Sequence, residues 1–410
     1  MFKKLKILLY IVSALTFIAG ISLAFYINAN IPRSDISDAE LYMSGRLNAN
    51  NAELVMEGVK ALYYHENYLY CAKGYSIVKT KDFGRTYEHV ADVEYDNLPW
   101  FCKPLKGVGI FRRIARMDVY RLRLSPNGNI ALTAKGGVYL IKKGESKAKL
   151  VSATKGSRPI SLTVDDEGRF YYGEYLDNPE REKIDVYRSS PDGTNWEIVY
   201  TFPKQTIRHV HSIEYDKYDN CFWIATGDIN SDTFLIRASK DFKTIDRVLQ
   251  GGQENRFFEI KILKDRLFLT PDAPNGEDYI TILEKKSGKD IRLFHIEGVT
   301  FFSAIIGDYF ICATSNEPYA KGRCEYLNTH VWAVNLNTLE YRKIAIFPTD
   351  FYYRFSLMEK ICPAKGLFQF SNAFFPEGIN DKSKILIYGN GLADINGSTF
   401  IWDASKYLNF

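Results

Sequence analysis

Cysteine is scarce in this chain, six in 410 residues, and no Cys-x-x-Cys occurs, which removes a zinc knuckle or a thioredoxin-like redox centre. An excess of charge of one sign is missing too. Lys and Arg number 53 against 49 Asp and Glu, a net +4 spread along the chain, and that gives no case for a nucleic-acid partner. After residue 50 no long run of Ala, Leu, Glu and Lys at helical spacing appears. The Gly-rich stretches, Lys135-Gly136-Gly137 and Gly251-Gly252, read as turns. Neither matches a phosphate-cradling loop, and there is no nucleophile elbow and no kinase motif.

What is present is aromatic and turn-rich. The 28 Tyr and 27 Phe favour strands, and the length suffices for a large core in one domain or two. From residue 58 onward short strands are separated by Gly, Asn, Asp and Pro turns, recurring every 40–50 residues or so, a propeller-blade period. Hairpins align at Ala61–Lys73, Arg121–Lys135, Ile160–Glu174, Arg208–Asp228, Arg256–Asp272, Phe301–Glu317 and Arg354–Asn372. Each is followed by a further strand pair, such as Asp185–Ser189 and Trp196–Phe202. The expected fold class is all-β: a β-propeller of four-stranded antiparallel sheets, with seven blades as the first count and six as the alternative. Radial closure leaves few exposed strand edges.

The N-terminus reads differently. Lys3, Lys4 and Lys6 precede an uncharged apolar run over 7–27, long enough as a helix to cross a bilayer. Positive charge ahead of the run places the N-terminus in the cytoplasm and the rest outside, periplasmic or extracellular; a cleaved signal peptide and a secreted product is the rival reading. The expected divisions are a cytoplasmic tip and transmembrane signal-anchor at 1–27, a stalk at 28–57, and the propeller at 58–410. In the stalk, Ser37 to Glu40 is a capping box for a short helix through Arg46. Cys71 and Cys312 occupy the same place in two repeats, which favours buried strand thiols; Cys312 with Cys324 is the disulfide pair to test.

Thr80-Lys-Asp82-Phe-Gly84-Arg-Thr86-Tyr87 resembles the Asp-box (BNR) repeat of sialidase-like propellers, Ser/Thr-x-Asp-x-Gly-x-Thr-Trp. Ser190-Pro-Asp192-Gly193-Thr-Asn-Trp196 looks like a shortened copy, and Ser239-Lys-Asp241-Phe-Lys-Thr244 like a third that lacks the Gly and the aromatic. The resemblance implies the fold and gives Asp82, Asp192 and Asp241 a structural role in outer turns. It also implies hydrolysis of a sialoside by an arginine triad, which Arg208, Arg256 and Arg354 would imitate, with Tyr353 or Tyr352 beside one of them. The family's Phe-Arg-Ile-Pro motif is present only as Phe111-Arg112-Arg113-Ile114, downstream of the first box, and no Tyr–Glu pair is evident.

The chemistry-bearing stretch is Arg208–Asp228. As two antiparallel strands it brings Arg208, His209, His211 and Asp228 to one sheet edge, with both histidines on one face. By the same logic the starts of first strands carry Arg121, Arg256 and Arg354. The ends of second strands carry Lys73, Lys135, Glu174, Asp272, Glu317 and Asn372. Converging arginines would bind an acidic group by forked, charge-assisted hydrogen bonds. The candidate ligand-binding set is therefore Arg121, Glu174, Arg208, Arg256 and Arg354. The candidate catalytic set is His209 or His211 as base, Asp228 and Asp272 to orient or protonate, and Tyr353. His209, His211 and Asp228 also supply three ligands for a divalent metal, but no third histidine lies nearby, and no cofactor is expected. The expected partners are an acidic oligo- or polysaccharide, a lipid bilayer through 7–27, and envelope or capsule assembly proteins. The inventory suits a polysaccharide lyase, a glycosidase using Asp228 with Asp272, or a non-catalytic binder.

Overall fold

The computed structural model describes residues 2–31, 43, 45–94, 108–273, 278–317, 327–358, 368–380 and 383–410, the side chains of 2–13 and 28 excepted. Five four-stranded sheets and one nine-stranded sheet account for its strands. Four of the small sheets are simple antiparallel meanders, within 163–202, 210–250, 257–295 and 302–348, whose strand order follows the chain. The nine-stranded sheet joins two more meanders, Val59–His65 to Glu88–Val93 and Arg121–Leu124 to Lys147–Ala153. Their outermost strands pair in parallel, Asp92 opposite Lys147 and Val93 opposite Ala148.

First strands of successive sheets touch one another from Val59–His65 through Arg121–Leu124, Thr163–Val164, Val210–Asp216, Phe257–Ile262 and Phe302–Ile306 to Asn372–Phe374. The last sheet then returns to Val59–His65. That sheet closes the ring with both chain ends: Leu54–Met56 adds the outer strand to Thr399–Asp403, Leu54 opposite Ile401 and Met56 opposite Thr399. The ordered unit therefore starts before residue 58, inside the segment expected to be stalk.

Burial explains the strand patterns. Second strands lie between neighbouring sheets, so Cys221–Thr226 is buried at every position, as a two-sided strand must be. Fourth strands such as Ile245–Gln250 are half-buried or exposed throughout. Cys71, Cys221 and Cys312 all sit on second strands as buried free thiols, which bears out the repeat argument for the first and last. Cys324 lies outside the described residues, as does the expected capping box at 37–40.

The hairpin expected over 354–372 does not begin as a strand, and its middle, 359–367, lies outside the described residues. Phe351–Ser356 is a short helix whose Asp350 N-cap accepts the Tyr353 backbone N–H, and the first strand of the last sheet is Asn372–Phe374. An aromatic run with the composition of a strand is thus overridden by an N-cap, itself clamped by a buried ion pair to Arg113. The apolar N-terminal run belongs to a 29-residue helix, Phe2–Asn30. Among the described residues no helix is long and apolar enough to cross a membrane, and part of the run at 7–27 has side chains outside that description.

The central channel is filled by charge. Glu377–Gly378 crosses it as a two-residue strand parallel to Val59–His65. Gly378 has φ +87°, and a Cβ there would lie 2.1 Å from the Tyr64 carbonyl oxygen, so only glycine fits. Glu377 meets Arg121 at 3.2 Å, Lys261 at 2.9 Å, and Arg123. Arg121 also pairs with Glu259 at 2.8 Å, and Arg123 with Glu214 at 3.4 Å. Arg121, expected to face a ligand, is instead committed to this buried network.

Candidate functional site

The histidine stretch owes its geometry to a bulge. Val210 pairs with Thr226 but Ser212 with Ala225, so His211 is an extra residue in the ladder, and a bulge re-aims its side chain. Both rings are buried. His209 places Nδ1 3.0 Å from the Leu176 carbonyl oxygen, and His211 places Nδ1 3.0 Å from that of Phe257. A carbonyl only accepts, so each Nδ1 carries the proton and donates. The two Nε2 atoms then face each other at 3.0 Å.

Asp228 follows the second strand of this hairpin. Its Oδ1 lies 3.4 Å from His209 Nε2 and 3.6 Å from His211 Nε2, and Asp272 Oδ2 lies 3.6 Å from His211 Nε2. Arg256, at the start of the next sheet, bridges the two carboxylates: its Nη2 is 2.8 Å from Asp228 Oδ1 and 2.9 Å from Asp272 Oδ2. Its Nη1 donates to the Asp228 carbonyl at 3.0 Å. Arg208 reaches Asp228 Oδ2 at 3.2 Å and also pairs with Asp177. Burial opposes charge on Asp228, yet the His209 and His211 rings beside it prevail and hold its carboxyl below the usual range. Burial likewise works against the Arg256 charge, and Asp272 and Asp228 more than compensate, so its pKa is raised.

Beside this cluster opens a cleft of about 690 Å³ lined by Tyr120, Tyr175, Phe258, Phe301, Phe302, Phe370 and Phe374, with Arg116, Arg158, Glu317 and Asn372. Tyr175 and Phe258 connect cleft to cluster. The Tyr175 ring centre is 4.3 Å from that of His209, and Phe258 is 5.6 Å from His211. Glu317 lies in the coil after Tyr309–Ala313, the second strand of its sheet, and faces Asp272, Arg256, Asp228 and His211; burial first, then repulsion from Asp272, pushes its carboxyl up to about 7. A carboxyl half-protonated near neutrality can both give and take a proton. Burial, with Asp272 and Asp228 adding to it, also raises the Tyr175 phenol, which therefore stays protonated.

Of the residues picked from sequence, His209, His211, Asp228, Asp272, Arg208 and Arg256 come together as expected. Four do not join them. Arg121 is in the channel. Glu174 is buried, accepts the Asp185 backbone N–H at 2.9 Å and pairs with Lys155. Tyr353 is 1% exposed and donates its hydroxyl to the Asn316 carbonyl at 3.0 Å. Arg354 rides on the short helix, its Nε 3.4 Å from the Asp350 carbonyl oxygen. Helix replaces strand there, which removes both residues from any strand-start position. Tyr175 carried a signal in its place directly after Glu174 at a second-strand end. Glu317 was placed on the right face but given no role. Phe374 lines the cleft, whereas Trp223 is buried and donates to Asp216 at 3.1 Å.

The three box-like segments all occupy the turn between third and fourth strands of their sheets. In the first, Asp82 accepts the Thr86 backbone N–H at 2.9 Å and hydroxyls from Thr80 and Thr86 at 2.8 and 2.7 Å. Asp192 and Asp241 accept from Ser190 and Ser239 in the corresponding turns.

No protein-family model matches the chain, and no curated protein matches it. Solved structures do. The chain superposes on a component of a mitotic checkpoint complex with a TM-score of 0.52 at 9% identity, covering 91% of this chain and 97% of that one. An oligogalacturonate lyase in complex with manganese gives 0.53 at 10% identity, covering 85% and 92%. The extracellular domain of a putative one-component system from B. thetaiotaomicron gives 0.53 at 8% identity, covering 89% of this chain and 43% of that one. The fold is a β-propeller. At such identities the likeness concerns the fold alone.

Proposed function

We propose that this protein is a seven-bladed, sialidase-like propeller, held at a membrane by its N-terminal helix with the propeller outside the cytoplasm, that recognises and cleaves an acidic glycan at one mouth of its channel. The observation that carries the reading is the juxtaposition in one cleft of aromatic walls, the cations Arg116 and Arg158, and Glu317 with its carboxyl pushed up to about 7. Aromatic faces suit sugar rings, and guanidinium groups suit carboxylates. Glu317 supplies the proton transfer that either a lyase or a glycosidase needs, and Tyr175, kept protonated, is placed to donate to a leaving oxygen. The propeller of oligogalacturonate lyase supports the idea that this fold can carry such chemistry.

A second reading is a non-catalytic glycan- or protein-binding propeller in envelope polysaccharide assembly. It is favoured by the fact that Arg208 and Arg256 are already paired with Asp228 and Asp272. The deciding experiment incubates the full-length chain with uronate-containing and neutral oligosaccharides, following unsaturated product by absorbance and new reducing ends chemically. Product from acidic substrates only, with kcat lowered about 100-fold or more in Glu317→Gln, supports the enzyme. Binding without product supports the second reading. No response to any acidic glycan refutes the enzyme and the glycan-binding form of the second reading.

A further inference from the structure

We infer that His209, His211 and Asp228 form a binding site for a divalent first-row transition metal ion. Three observations converge. First, each imidazole spends its Nδ1–H on a backbone carbonyl, Leu176 for His209 and Phe257 for His211, both at 3.0 Å. That is the outer-shell arrangement that fixes a histidine to ligate through Nε2. Second, with both Nδ1 protons committed, the two Nε2 atoms 3.0 Å apart need a cation between them, a shared proton or a metal ion. The Asp228 carboxylate does not relieve this, since its oxygen stays 3.4 and 3.6 Å from the two nitrogens, outside ordinary hydrogen-bond length.

Third, the spacing suits an ion. Donors 3.0, 3.4 and 3.6 Å apart lie on a circle of about 1.9 Å radius, and metal–nitrogen and metal–oxygen bonds to such ions are about 2.0–2.2 Å. An ion bonded to all three therefore sits just off their plane, bound on one face with the opposite positions open. Two histidines and one carboxylate on a face is a set that suits the first-row ions, while the nitrogen donors disfavour calcium and magnesium. Asp228 has one oxygen shared between the triad and Arg256 and the other toward Arg208.

Charge balance links the ion to the cleft. Arg208 and Arg256 offset Asp228 and Asp272, and a divalent ion adds positive charge beside Asp177 and Glu317. With open positions it would take an oxygen of an anionic ligand, the carboxylate of an acidic sugar. This last step rests on the acidic-glycan reading; ion binding itself does not.

The test needs no glycan. Full-length protein stripped with a chelator is dialysed against micromolar Mn(II) or Co(II), and bound metal is counted. Pulsed electron paramagnetic resonance of the Mn(II) form then reads the ligand nitrogens. The expected result is about one ion per chain with coupling to imidazole nitrogen, and an affinity weakened about 100-fold or more in His211→Ala and Asp228→Asn. Wild-type protein alone decides the matter should either variant fail to fold. Failure of the folded wild type to take up either ion, or uptake without imidazole coupling, overturns the inference, as does unchanged affinity in a folded His211→Ala. Metal uptake with no glycan response leaves this site standing and removes only the glycan reading; glycan cleavage by wild-type protein that takes up neither ion does the reverse.

Discussion

Glu377→Gln is the sharpest perturbation of the fold, because one carboxylate holds three cations in the channel. Its oxygens contact Arg121 at 3.2 Å, Lys261 at 2.9 Å, and Arg123, and the four side chains are 7–13% exposed. Burial works against the Glu377 charge, but Arg121, Arg123 and Lys261 outweigh it and hold the carboxyl well below its ordinary value. The substitution leaves Arg121, Arg123 and Lys261 facing only Glu214 and Glu259. Removing one partner from a buried ion network costs about 3–5 kcal/mol, most of it the penalty of charges left uncompensated. The sign with pH follows from linkage. A carboxyl whose folded pKa is depressed contributes stability above its ordinary value of about 4.5 that is lost as pH falls. Urea unfolding followed by tryptophan fluorescence, with five Trp as reporters, should show the wild type ahead by that amount at pH 7 and the gap narrowing in acid. A second variant, Arg123→Met, should cost less in the Glu377→Gln background than alone, since it removes one of the stranded cations. A difference below about 1 kcal/mol at pH 7, or one that does not change with pH, would refute the reasoning.

Glu214 should behave in the opposite sense. Burial pushes its carboxyl up to about 7, with Arg123 opposing, so the folded state retains a proton that the unfolded chain releases, and stability falls as pH rises from about 4.5 to 7. Glu214→Gln should flatten that slope in urea titrations and exceed the wild type above pH 7 by about 2–3 kcal/mol. Met56, 2% exposed beside Val59 and Ile401, fastens the strand that closes the ring. Met56→Ala should cost about 2–4 kcal/mol and speed amide exchange in Thr399–Asp403 ahead of the other sheets. Cys71, Cys221 and Cys312 are buried, and burial raises all three thiols; thiol labelling mapped by mass spectrometry should leave them unmodified in the native protein and modify them in urea.

The fold was legible wherever strand pattern and turn chemistry agreed. Arg121–Lys135 and Arg256–Asp272 were readable because Asn127-Gly128 and Lys264-Asp265 interrupt alternating or β-rich runs, and the observed strands fall inside those bounds. The reading failed at Arg354. There Phe351-Tyr352-Tyr353-Arg354-Phe355 has the composition of a strand, and the decision is made by Asp350, which caps a helix while paired to Arg113, 237 residues away. A contact at that separation leaves no local trace. The outer strand supplied by Leu54–Met56 was hidden for the same reason, since its partner lies at Thr399–Asp403.

The site divides along the same line. Local spacing brought His209 and His211 to one face and Asp228 beside them, although the mechanism differs from a plain strand: the bulge at His211 sets the aim of that ring. Composition could not say which arginines meet a ligand, because that depends on which carboxylate crosses the channel. Arg121 and Arg256 both stand at first-strand starts. Arg121 is claimed by Glu377 from the two-residue crossing strand and by Glu259, whereas Arg256 remains at the mouth between Asp228 and Asp272. What separates the two arginines here is thus a single strand, Glu377–Gly378, packed so closely on Tyr64 that its second residue has to be glycine. That strand draws Arg121, Arg123 and Lys261 into one network around Glu377, apart from the cluster of His209, His211, Asp228 and Asp272.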